Sequence, residues 1–120
     1  SLFHPLAPAR ILDTRQPGLA ALGANATLDL QVTGAGGVPP AGVAAVAVNV
    51  TVAGPTAHSF LTVFPTAEPK PNASNLNFVA GQIVANLVVA KLGAGGRLTI
   101  SFRGKKYPYS SANSEAYLEL

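Results

Sequence analysis

The chain has 120 residues, enough for one domain, and no cysteine, which excludes disulfide scaffolds, cysteine nucleophiles and cysteine-ligated metals. Its net charge of +3 rests on eight basic and five acidic residues, mostly dispersed, so the basic face of a nucleic-acid binder is not expected.

Helix signals are poor throughout, because Gly and Pro interrupt every helical apolar pattern and the helix formers Glu, Lys and Met are nearly absent. Strand signals are good. The pattern predicts a first short strand over Arg10–Thr14. In Ala26–Val32, Leu28, Leu30 and Val32 face one way and Thr27, Asp29 and Gln31 the other, the period of a half-buried strand. Gly34–Gly42 reads as a flexible connection. Ala44–Val52 is the strongest strand, with Val46, Val48, Val50 and Val52 on one face. Ser59–Pro65 is bulky on both faces and is expected to be central. Ser74–Phe78 and Gln82–Leu92 follow. The run Gly93–Gly96 reads as a hairpin turn into Arg97–Phe102, which points Leu98, Ile100 and Phe102 inward. The chain closes with Glu115–Leu120. About eight short strands separated by turn residues predict an all-β fold, an antiparallel β-sandwich of jelly-roll or Ig-like type.

The longest purely apolar run, Gly42 to Val48, falls far short of the ~20 residues that cross a bilayer. No membrane insertion is expected. No stretch has the pattern of a signal peptide. The chain begins with Ser1 and holds no methionine, so residues 1–120 are expected to be one module excised from a larger secreted protein.

Six segments occur in order: "FHPLAPARILDTR", "LQVTGAGGVP", "AVAVNVTVAGPT", "FLTVFP", "SNLNF" and "ANLVVAKLGAGGRLTISF". Together they resemble a domain that recurs in secreted and cell-wall-associated proteins of actinobacteria and related soil bacteria. That domain is found beside hydrolases such as peptidoglycan amidases or proteases, or in tandem arrays. The resemblance runs from Phe3 over nearly the whole chain. Its most specific pieces are Leu12-Asp13-Thr14-Arg15, Asn49-Val50-Thr51 and Ser74–Phe78. The family's final strand ends in Gly-Tyr-Phe, which this chain lacks after Leu120, and its loop Arg103–Asn113 is longer and more basic. The resemblance implies an extracellular accessory module and no particular activity.

The residues themselves offer little conventional catalysis. His4 and His58 have no Gly-x-Ser-x-Gly elbow with them. Only Asp13 and Glu119 form a carboxylate pair that strand pairing could bring together for glycoside hydrolysis. No loop gathers the oxygens of a calcium site, and no metal or other cofactor is expected. Lys91 with Asn49 or Asn86 supplies the parts of an isopeptide cross-link. A shallow ligand site needs polar groups and an aromatic platform. The candidates are His58, Asn72, Asn75 and Asn77, with Tyr107 and Tyr109 as the platform. Asp13 and Arg15 are either a clamp between the first strand and its loop or part of that site. The expected function is a non-catalytic module binding cell-wall or other glycan, or a surface partner, for a neighbouring enzyme. The alternative is a structural spacer or adhesin repeat. A final strand left open at Ala116–Leu120 would also favour homo-oligomers through edge strands.

Overall fold

The computed structural model describes residues 2–15, 26–55, 59–103 and 109–119, with only the backbone of Tyr109 and Ser110. Eight strands form among them: β1 (Phe3–Asp13), β2 (Thr27–Gln31), β3 (Val43–Ala53), β4 (Ser59–Pro65), β5 (Leu76–Phe78), β6 (Ile83–Lys91), β7 (Arg97–Arg103) and β8 (Tyr109–Glu119). They make two four-stranded sheets, ordered β1-β8-β3-β6 and β2-β7-β4-β5. Every pairing is antiparallel.

The pairs nest. β1 lies with β8, β2 with β7, β3 with β6 and β4 with β5. The chain is thus one long hairpin rolled over on itself, with β3·β8 and β4·β7 closing the two sheets. This is a jelly roll. The Ig-like alternative would place the first, second, fourth and fifth strands in one sheet, and the observed order excludes it.

Period-two alternation builds the core. Val46, Val48, Val50 and Val52 point from β3 onto Leu98, Ile100 and Phe102 of β7 and Leu61 and Val63 of β4, and all are buried. Each such side chain contributes about 1.5–3 kcal/mol by leaving water. β4 lies between β7 and β5, as its two bulky faces predict.

Four expectations need correction. β1 starts at Phe3, not Arg10. Its prolines, Pro5 and Pro8, mask a strand that sits at a sheet edge, where missing amide donors are tolerated. The last strand starts at Tyr109 and lies between β1 and β3. Ala116–Leu118 is therefore paired on both sides, not left as an open edge. Gly93–Gly96 is not a hairpin turn: it carries the chain from β6 in one sheet to β7 in the other, through a short 3-10 turn. The expected Ser74–Phe78 strand is ordered as β-structure only from Leu76. Asn49 is laddered with Leu87, but its buried Oδ1 has no hydrogen-bond partner among the described residues.

Candidate functional site

The structure separates the expected site residues into two places. Asp13 ends β1 and is buried. Its Oδ1 accepts from the Arg15 backbone N–H at 3.0 Å and from Arg15 Nε at 3.0 Å, while Oδ2 accepts from Arg15 Nη2 and Arg10 Nη1, each at 3.2 Å. The Arg15 side-chain hydrogen bonds, then the Arg15 amide, then the two guanidinium charges hold the Asp13 carboxyl well below the usual carboxylate range, and burial opposes them. The same carboxylate raises the pKa of Arg15. Arg10 also donates from Nε to Asn113 Oδ1 on β8 at 3.3 Å. All of Asp13's acceptor positions face protein, so the motif works as a clamp joining β1 to its loop.

Simple alternation would put Arg10 and Asp13 on opposite faces of β1. A bulge between Arg10 and Leu12 shifts the register, so Arg10 faces Asn113 and Asp13 faces Ser111. Those partners are two residues apart on β8 and share a face. The bulge therefore lets both arginines reach one carboxylate.

The second place is a trough on the outer face of the other sheet. Phe60 on β4 stands directly opposite Asn77 on β5 and Arg103 on β7. These three residues, with Thr62, Lys70, Asn72 and Ser74, line a cavity of about 280 Å³. An adjoining cavity of about 400 Å³ shares Phe60 and Asn77 and continues to Ser59, Val79 and Gln82. The loop from β4 to β5 forms one wall, pinned where Thr62 Oγ1 donates to the Ala73 carbonyl at 2.6 Å.

Of the expected residues, Asn72 and Asn77 line this trough. Asn75 does not; it is committed to the fold. Its Oδ1 accepts from the Val63 N–H at 2.6 Å, its N–H donates to the Leu61 carbonyl, and its carbonyl accepts from Asn86 Nδ2 at 2.8 Å. His58, Tyr107 and the Tyr109 side chain lie outside the described residues. The ring and the two cations of the trough, Phe60, Lys70 and Arg103, were not among the sequence candidates. Phe60 alternates against Leu61 and was legible as the outward ring of a central strand. Its meeting with Arg103 depends on long-range register and was not.

No family model matches the sequence, and no curated protein does.

The remaining chemistry is dispersed. Asp13 faces Ser111 near one end of β8, while Glu119 ends that strand, roughly 25 Å away at ~3.3 Å per residue. Glycosidase pairs stand about 5–9.5 Å apart. Glu119 instead accepts from or pairs with His4 Nε2 at 3.0 Å, and the His4 ring stacks on Tyr117 at 4.7 Å. Lys91 faces solvent, 3.8 Å from Glu68, four register positions from the residue opposite Asn49. Asn86 spends its amide on Asn75. Neither asparagine meets Lys91 as an isopeptide bond requires.

Proposed function

We propose that this is a non-catalytic, extracellular accessory module that binds glycan for a neighbouring enzyme, in the trough over β4 and β5. The row Asn77–Phe60–Arg103 carries this reading. It sets an aromatic ring between an amide and a guanidinium, in a concavity just under the ~300 Å³ at which sites for drug-sized ligands begin. A single sugar ring suits that space, with its apolar face on Phe60 and its hydroxyls on Asn72 and Asn77. The adjoining cavity gives a chain somewhere to continue. Jelly rolls also recur among lectin domains, and the resemblance to secreted cell-wall modules agrees.

A glycan array and a pull-down on isolated peptidoglycan test the proposal. Phe60→Ala is expected to weaken any binding roughly tenfold or more while the module stays folded by circular dichroism. Clean negatives on both assays with the wild-type chain would sink it.

Self-association through an edge strand remains part of the proposal, now at β6 instead of the final strand. Among the described residues, β6 has a strand neighbour only on its β3 side. It exposes Ile83 at 76 %, Leu87 at 56 % and Val89 at 66 %. Two copies paired antiparallel about Leu87 would set Lys91 opposite Ile83 and bring no like charges together. Light scattering is expected to show a concentration-dependent dimer. Leu87→Lys puts two lysines at the two-fold axis and is expected to abolish it. A constant monomer mass at every concentration would refute the idea.

A further inference from the structure

Among the described residues, the trough holds two cations and no anion. Lys70 and Arg103 line it, and no carboxylate does. Among the described residues neither forms an ion pair. Three cations elsewhere are neutralised, while Arg97 on β7 has no ion pair among the described residues. Arg10 and Arg15 share Asp13, and Lys91 meets Glu68. Of the three remaining acids, Glu119 is turned to His4, Asp29 accepts from Thr99 Oγ1 at 2.7 Å, and Glu115 lies on β8 in the other sheet. The chain has only five acidic residues to offer.

We propose that the trough selects an acidic saccharide, one bearing a carboxylate. This rests on the glycan-binding reading and names its ligand class. Phe60 and Arg103 are direct cross-strand partners, so their Cβ atoms are about 4.5–5.5 Å apart. A ring stacked on Phe60 therefore carries its carboxylate over the guanidinium, which offers a planar fork matched to two oxygens. Lys70 adds a point charge from the loop wall. A neutral sugar in the same pose covers both cations without pairing them, and that desolvation is what discriminates against it.

The test uses matched pairs on a glycan array: uronic-acid oligosaccharides against the same chains after carboxyl reduction, with phosphate-bearing glycans as a third arm. The acidic chains are expected to bind about tenfold tighter than the reduced ones. That preference should shrink as salt is raised. The double variant Lys70→Gln with Arg103→Gln is expected to erase the preference, so that acidic and reduced chains bind it equally. Lys70→Gln alone, on an exposed loop, is expected to halve it or more even if the double variant folds poorly. Equal or tighter binding of the reduced chains overturns the inference and leaves the glycan reading standing. Binding confined to the phosphate arm overturns the choice of carboxylate. No binding in any arm overturns both.

Discussion

Replacing Asp13 with alanine is expected to lower the melting temperature by roughly 5–15 °C near neutral pH. The substitution removes the acceptor of four hydrogen bonds, three from Arg15 and one from Arg10. It also leaves the Arg15 N–H without its partner and two guanidinium groups close together without their counter-charge. The sign of the pH dependence follows from the depressed carboxyl. Its stabilisation is complete above the ordinary carboxylate pKa of 3.8 and is lost as pH falls toward the folded value, which lies well below. Melting curves of the wild type should therefore fall below about pH 4 more steeply than those of Asp13→Ala. The difference between the two proteins should be flat from pH 5 to 8 and shrink in acid. An Asp13→Ala protein that melts like the wild type but no longer binds glycan would mean that the motif is the site, not a clamp.

Gly93→Ala is expected to destabilise the fold by about 3 kcal/mol, among the larger effects a single methyl can have. The backbone at Gly93 is extended, with φ −101°, and suits any residue. Space is the obstacle. A Cβ there would collide with the Thr66 backbone N and O and come within 2.7 Å of the Pro65 carbonyl carbon. Backbone atoms cannot rotate aside. Around this point Gly93 N–H donates to the Arg97 carbonyl, Ala94 N–H to the Thr66 carbonyl and Thr66 N–H to the Arg97 carbonyl. These bonds tie the end of β4 to the crossing from β6 to β7, and the methyl would pry them open. Gly34 opens the other Gly-Ala-Gly-Gly run and provides the control. A Cβ there meets nothing within 4 Å, but φ is +80°, so Gly34→Ala should cost only about 1–2 kcal/mol of left-handed strain. Thermal or urea unfolding of the two variants compares them directly. Equal losses would show that crowding at Thr66 is relieved by a small backbone shift.

Those two glycine runs show where the sequence was readable and where it was not. Both were legible as punctuation. That both carry the chain from one sheet to the other was not, because partner choice is a property of the whole topology. Local alternation found β2, β3, β4, β6 and β7 to within a residue or so, and it identified the valine face of β3. It failed at β1, where edge prolines hide the strand, and at the start of β8, where Ser110, Ser111, Asn113 and Ser114 look like loop. Ser114 is in fact buried, with Oγ donating to the Gly36 carbonyl at 2.7 Å. The candidate site followed the same division. Asn72 and Asn77 were read from their loop and short strand, whereas the Arg15–Asp13–Arg10 geometry needed a bulge and the Phe60–Arg103 pairing needed register across the sheet.

The pairing of β1 with β8 has a mechanical consequence. Phe3 faces Leu118, and the Glu119 N–H donates to the Leu2 carbonyl at 2.9 Å. Any polypeptide continuing on either side leaves from the same corner of a body 40 Å long. Strung in a row, such units hang beside the thread as pendants, and each adds little contour length. Links that bear tension or give reach enter at one pole and leave at the other. This geometry presents a surface sideways to its surroundings, which suits recognition better than extension.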